Sequence, residues 1–349
     1  MPHFTVSQIF TFDKVNQAKV TQLLEDAGIK RDANLDYTCG IFEEDGTLIA
    51  TGSLFVNTLR CFAVCKRYTG EGLLNQIITH LISVQFERGN THLFVYTKPE
   101  SSKFFKDLGF YPIAEIPNLV TFMENRRAGF SDYLKKLVAD DNRNITDAAA
   151  IVMNANPFTL GHLHLIEKAA RENQVVHLFL VSEDTSLVPF EVRKALILAG
   201  TSHLTNIIYH ETGSYIISQS TFPSYFQKDS ESIIKSQAEV DLSIFTKIAK
   251  TLAITKRYVG EEPNSLVTNI YNQAMQEKLP QMGIDCIVIP RLSIDGEIVS
   301  ASTVRQLIKE DNLEAIKKFV PESTYQYFKS NQASEIIRNI QHETNVIHY

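Results

Sequence analysis

The alternation of apolar and polar positions divides the chain into two unlike halves. In the first, apolar runs at 40–43 and 48–54 flank Glu44-Asp45-Gly46-Thr47. An Asp-Gly turn suits the twist of antiparallel strands, so a hairpin is predicted. A further strand is predicted over 59–65. Leu73, Ile77 and Leu81 then recur four apart beside Leu74, Ile78 and Ile82, the spacing of a helix. Residues 92–97 read as a buried strand, and 101–108 as a short helix stopped by Gly109. Strands and helices do not alternate regularly here, which predicts an α+β unit.

Beyond Met123 the pattern changes. Residues 124–129 are polar, Ser131 is placed to cap a short helix, and 140–144 form a charged break. These features put a linker at 126–146, between a first domain at 1–125 and a second at 147–330. In the second, strands at 148–153, 175–181, 206–210, 257–259 and 286–290 are interspersed with helical spacing, as at 162–171 and 191–198. Repeated β-then-α units imply a Rossmann-like α/β domain with a parallel sheet that binds ligands at its carboxyl edge. Residues 331–349 read as a C-terminal tail, a polar helix with a loose end. Arg193 and Lys194 are expected on a solvated helix face.

Composition narrows the class. The 349 residues suit two domains, and 44% hydrophobic with 21% charged residues is ordinary globular usage. Lys plus Arg number 34 against 40 acidic residues, a net charge of −6 that argues against coating nucleic acid or an anionic membrane. Cys39, Cys61, Cys65 and Cys286 lack paired metal-site spacing and read as reduced thiols, so no metal-ligating residue is assigned. No basic-then-apolar leader and no long apolar run is seen, so a cytoplasmic protein is expected.

The most specific segment is Asn154-Ala155-Asn156-Pro157-Phe158-Thr159-Leu160-Gly161-His162, between a buried strand and a helix. Such a turn gathers backbone N–H groups at a helix start and attracts phosphate. Gly161 permits close backbone approach, Thr159 offers a hydroxyl, and His162 a ring N–H for an oxygen gaining charge. Read alone, the same residues also make a plain turn and cap. A second segment, Ser300-Ala301-Ser302-Thr303-Val304-Arg305, opens another helix with three hydroxyls and an arginine.

Thr-x-Gly-His after a strand, with Ser-x-Ser-Thr-x-Arg near the end, resembles the nucleotidylyltransferase superfamily. That resemblance implies ATP binding. Thr159, His162 and Arg305 would be catalytic, and Asn154, Asn156, Phe158, Gly161, Ser300, Ser302 and Thr303 would hold the nucleotide. Gly260 and Glu261, in Arg257-Tyr258-Val259-Gly260-Glu261-Glu262-Pro263, would meet adenosine. Arg67-Tyr68-Thr69-Gly70-Glu71-Gly72 resembles the pyrophosphate loop of GCN5-related acetyltransferases, with Arg67, Gly70 and Gly72 holding a CoA-like arm. Phe105 stands where that family carries its acid tyrosine, so no phenol is available there to protonate a departing thiolate.

The combination, with Tyr215–Ser218 and Thr221–Phe226, resembles the citrate (pro-3S)-lyase ligase family. The resemblance implies an acid–thiol ligase. Acetate and ATP, with Mg²⁺ held mainly by the phosphates, would give acetyl-AMP and pyrophosphate. The acetyl group would pass to the thiol of a phosphoribosyl-dephospho-CoA group on the acyl carrier (gamma) subunit of citrate lyase, its partner, and AMP would leave. An adenylyltransferase using a phosphopantetheine-like acceptor, an acetyl-CoA-dependent acetyltransferase and a non-catalytic ATP or CoA sensor are readings of the same residues.

Overall fold

A computed structural model describes residues 4–139, 146–182, 185–216, 222, 230–261 and 266–343. The chain groups into two compact units, Met1–Asp132 with Phe222–Val240, and Tyr133–Thr221 with Asp241–Tyr349. The division thus assigns 222–240, expected in the second domain, to the first unit. Of the stretches at 215–218 and 221–226, only Tyr215, Ile216 and Phe222 lie within the described residues. The charged break at 140–144 lies outside them.

The first unit carries a seven-stranded sheet: β1 (Val6–Gln8), β2 (Tyr37–Phe42), β3 (Leu48–Phe55), β4 (Thr58–Val64), β5 (Phe94–Thr97), β6 (Tyr111–Ile116) and β7 (Val120–Glu124). The order is β1-β2-β3-β4-β5-β7-β6. Every neighbour is antiparallel except β4 and β5, which run parallel and pair only through Thr58↔Phe94 and Leu59↔Val95. Its helices are α1 (Lys14–Asp26), α2 (Leu73–Glu87) and α3 (Ser102–Asp107). The four-residue spacing read from the sequence is the buried face of α2. Leu73, Ile77, Ile78 and Leu81 pack against Ile49, Leu54 and Leu59. Each such side chain contributes roughly 1.5–3 kcal/mol on burial. Gly52 allows the contact, since a Cβ there would sit 2.5 Å from Ile77 Cγ2.

The second unit is built on five parallel strands: β8 (Ala148–Met153), β9 (Val176–Leu180), β10 (Ile207–Glu211), β11 (Ile254–Gly260) and β12 (Asp285–Ile289). Their order is β10-β9-β8-β11-β12. The direction of winding reverses between β8 and β11, and such a reversal opens a ligand crevice at the carboxyl ends of the strands. Helices are α4 (Gly129–Ala139), α5 (Leu160–Glu172), α6 (Phe190–Gly200), α7 (Ser230–Thr251), α8 (Leu266–Lys278), α9 (Ala301–Lys309), α10 (Leu313–Ile316), α11 (Glu322–Lys329) and α12 (Ser334–His342). The contact groups divide within α4 and α7. A small hairpin, β13 (Ser293–Ile294) and β14 (Glu297–Ile298), precedes α9.

The expected tail is firmly packed through Glu343. Ala333, Ile336 and Ile340 join the cluster of Val304 and Ile308, and Lys309 Nζ donates to the Glu343 carbonyl at 2.6 Å. Two isoleucines four apart on a polar helix are enough to dock it. Among the described residues, no helix is long and apolar enough to cross a membrane.

Candidate active site

β8 ends at Met153 on the crevice edge, and six residues turn the chain into α5. Ala155 sits at φ +51°, a left-handed conformation that costs a non-glycine residue about 1–2 kcal/mol. The turn is held from several sides. Arg193 Nη1 donates to the Asn154 carbonyl at 2.8 Å, and Arg305 Nη1 to the Asn156 carbonyl at 2.5 Å. The Val188 N–H donates to Asn156 Oδ1 at 2.9 Å. Asn154 Nδ2 donates to Ser186 Oγ at 2.9 Å. Asn156 Nδ2 is buried, without a hydrogen-bond partner among the described residues. Phe158 is buried in the core, its ring stacked 6.0 Å from that of His162. It supports the histidine from below and is closed to direct nucleotide contact.

Thr159 caps α5. Its Oγ1 accepts from the His162 N–H at 3.4 Å, while its own N–H donates to His162 Nδ1 at 3.1 Å. The Thr159 hydroxyl also lies 2.9 Å from Nδ1. A nitrogen that accepts a backbone N–H is unprotonated, so the neutral ring carries its proton on Nε2. Burial, reinforced by the charges of Arg291 and Arg305, pushes the His162 pKa down to about 4. At neutral pH the ring is therefore an uncharged Nε2–H donor. His162 is half-buried, whereas Thr159 is buried. The threonine thus orients the histidine from inside the cap. His164, two residues on, faces another side of the helix.

The second motif opens α9. Ser300 Oγ accepts from the Thr303 N–H at 3.0 Å and lies 2.8 Å from Ser302 Oγ and 2.7 Å from Thr303 Oγ1. All three hydroxyls are partly exposed. The two helix starts meet at Gly161, where a Cβ would lie 3.2 Å from the Val299 carbonyl oxygen. Leu160 N donates to the Phe319 carbonyl at 2.9 Å. The first-turn amides of Leu160, His162 and Thr303 are satisfied within the chain, and the two adjoining helix N-termini make a local positive field suited to an anion. Arg305 is only 1% exposed. In this structure it stands behind the turn on the Asn156 carbonyl, and burial lowers its pKa to about 10, which leaves it charged at neutral pH.

Gly260 ends β11 and Glu261 follows it, across the switch point from the turn, and both are exposed. Asn272 Nδ2 donates to the Gly260 carbonyl at 3.1 Å, and Arg291 Nε to the Glu261 carbonyl at 2.9 Å. Arg257, three residues earlier, is buried over the Phe245 ring at 4.2 Å. Glu262 and Pro263 lie outside the described residues. No group of three or more His, Cys, Asp or Glu among the described residues is placed to hold a metal ion.

In the first unit, Gly70 (φ +90°) and Gly72 (φ +76°) shape the loop, and Gly72 is the left-handed N-cap of α2. Neither tolerates a side chain without strain. Arg67 is exposed and pairs with Glu43 at 3.2 Å, and Tyr68 Oη donates to the same carboxylate. Phe105 is a core residue, touching Phe62, Phe104 and Phe110.

Arg193 corrects the sequence reading. Far from a solvated face, it is 1% exposed and donates to three backbone carbonyls. Lys194 does reach solvent and pairs with Glu211 at 2.5 Å. Arg291 was not singled out by the sequence either. Its only cue was its place one residue beyond the expected strand end at Pro290.

The family model described as citrate lyase ligase C-terminal domain matches residues 148–328. The [citrate [pro-3S]-lyase] ligase of Escherichia coli (strain K12) is 38% identical over 325 residues, covering 90% of this chain and 90% of that protein. The chain belongs to the citrate lyase ligase family. The Haemophilus influenzae ligase of the same name is 36% identical, over 89% of this chain and 94% of its own length. Among solved structures, a putative nicotinate-nucleotide adenylyltransferase from Vibrio parahaemolyticus covers 56% of this chain and 96% of its own, at 13% identity and a TM-score of 0.37. As a member of the family, the protein is a ligase, of the acid–thiol class. Its first unit is α+β and its second is built on a parallel sheet, the two fold classes expected from the sequence.

Proposed function

We propose that this ligase joins acetate to the thiol of a CoA-like arm on the citrate lyase acyl carrier subunit, using ATP in two steps. An acetate oxygen attacks the α-phosphorus, the bond to the β-phosphate oxygen breaks, and pyrophosphate leaves. The thiol, giving up its proton, then attacks the acetyl carbonyl, and AMP departs. Acetate is already ionised at neutral pH, so the first step needs no general base. It needs positioning and compensation of charge.

The observation that carries this reading is the meeting of two capped helix N-termini at the switch point, with a neutral histidine donor between them, in a chain of this family. The Nε2–H of His162 would donate to a phosphate oxygen. Ser300, Ser302 and Thr303 would hold the phosphates through their hydroxyls, with Asn156 shaping the turn from within. Thr159 and Arg305 act from behind, on His162 and on the turn. Gly260 and Glu261 would border the adenosine. Among the described residues the donor set is hydroxyl, amide and imidazole with no carboxylate cage, a set that fits Mg²⁺ carried by the phosphates with water completing its shell. When bound, Mg²⁺ would neutralise phosphate charge.

ATP–pyrophosphate exchange tests the first step. Exchange that requires acetate is expected, and exchange that requires phosphopantetheine instead would replace the ligase with an adenylyltransferase. The first unit supplies a separate test. Arg67, Gly70, Gly72 and the amides opening α2 would seat the arm's pyrophosphate. Arg67→Ala is expected to raise the Michaelis constant for the carrier about five- to fifty-fold, the loss of a charge-assisted hydrogen bond. Acetate-dependent exchange should stay at the wild-type rate. An unchanged carrier constant would remove this loop from the arm site.

A further inference from the structure

We infer that Arg193 is a positioning residue for the acyl-activating step: it fixes the peptide that precedes the left-handed Ala155 without touching substrate. The inference rests on the ATP-dependent activation proposed above. Arg193 lies in the first turn of α6, yet its guanidinium points inward and is 1% exposed. Its Nη1 donates to the Asn154 carbonyl at 2.8 Å and the Val181 carbonyl at 2.9 Å, and its Nε to the Val188 carbonyl at 3.0 Å. Those carbonyls belong to three segments: the turn after β8, the end of β9, and the loop that leads into α6. One planar fork thus ties the catalytic turn to both neighbours, which a lysine's point charge cannot reproduce. The Phe190 ring lies 5.5 Å from the guanidinium carbon and limits its movement.

The geometry has a directional consequence. Across a trans peptide the carbonyl and the next N–H point opposite ways. With the Asn154 carbonyl turned onto Arg193, the Ala155 N–H faces away from the guanidinium. The Asn156 carbonyl, two residues on, is turned onto Arg305. Both buried cations therefore meet the oxygen ends of this turn and orient its dipoles, and Arg193 does so for the peptide next to the strained residue. The Asn156 side chain, held by the Val188 N–H, moves with the same Val188 segment that Arg193 grips. Loosening Arg193 would shift Asn156 relative to His162 while leaving both in place chemically. That predicts an effect on kcat more than on the Michaelis constant for ATP.

The test compares Arg193→Lys and Arg193→Ala with wild-type protein in acetate-dependent ATP–pyrophosphate exchange, per mole of folded protein. Folded protein is determined by circular dichroism and thermal melting. Arg193→Lys is expected to lower kcat about ten- to a hundredfold, with the Michaelis constant for ATP changed less than threefold. Added guanidinium at millimolar concentration should restore part of the rate to Arg193→Ala and none to wild type. Wild-type kcat in Arg193→Lys would overturn the proposal. So would losses in both variants that match the lost folded fraction, since Arg193 would then serve stability alone. Failure of wild-type protein itself to exchange with acetate would overturn the proposed function instead, a distinguishable result.

Discussion

His162→Ala is expected to lower acetate-dependent ATP–pyrophosphate exchange by about 10²–10³-fold, the usual loss for one preorganised donor to a developing oxyanion. Nδ1 is committed to the Thr159 N–H and hydroxyl, so the only proton on the ring is at Nε2. A neutral donor fixed by its other nitrogen needs no reorganisation as charge grows on the phosphate. His162→Gln places an amide N–H near the position of Nε2 and should recover a measurable part of the rate. His162→Asn mimics the Nδ1 side alone and should recover little. Equal activity in wild type and alanine variant would remove the histidine from the reaction.

The depressed pKa of the same ring gives a pH dependence with a defined sign. In the unfolded chain the imidazole titrates near 6.5, and in the folded protein near 4. Between these values the unfolded state binds the extra proton, so stability falls as pH falls. The contribution is complete above about pH 6.5 and is lost by about pH 4, amounting to roughly 3 kcal/mol at most. Urea unfolding at pH 7 and pH 4.5 should show wild type losing more stability than His162→Gln, which lacks the titrating ring. Equal losses would mean that the ring is not held neutral.

The parts of this arrangement that were legible in the sequence are local. Thr159, Gly161 and His162 lie within four residues, and a capping pattern after a strand specifies their geometry through one helical turn. The same holds for Ser300, Ser302 and Thr303. The parallel sheet was legible because strands such as Ala148–Met153 and Val176–Leu180 are short, mainly apolar runs that alternate with helical spacing. Depth was not legible. Nothing near Arg193 or Arg305 in the sequence marks them as buried, because carbonyls that hold them inward come from distant residues, Asn154 for Arg193 and Asn156 for Arg305. Phe158 is buried by contacts equally remote in sequence, against α6, where a Cβ at Gly200 would lie 2.6 Å from its ring. The long helix α7 escaped detection too. Its buried apolar positions, among them Ile234, Val240, Leu242, Phe245 and Ile248, lie on several sides of the helix and leave no clean periodicity.

A site whose cations lie beneath the turn works differently from one in which they grip the phosphate directly. Exposed arginines would be screened by water and salt, whereas a buried charge acts through a low-dielectric path. Its hydrogen bonds to backbone carbonyls compensate the cost of burial. The pKa of His162 already registers this field, because Arg305 is among the charges that disfavour its protonation. The phosphates of ATP would meet helix amides, hydroxyls and one neutral imidazole at the surface, with positive charge one layer below.

Arg305→Ala is accordingly expected to lower exchange by at least about a hundredfold and to raise the pKa of His162. The variant removes a fully buried cation and leaves the Asn156 carbonyl without its guanidinium, costing about 2–4 kcal/mol of stability. Arg305→Lys separates the two roles. The ammonium keeps the charge, so the His162 titration, followed by NMR of the ring protons, should stay close to that of wild type. Its shorter reach and single point of contact should loosen the hold on Asn156, and exchange should still fall about tenfold. If Arg305 instead gripped phosphate directly, the lysine variant would show a raised Michaelis constant for ATP with kcat little changed. A kcat loss with an unshifted Michaelis constant would place the arginine behind the turn, acting through the peptide it holds.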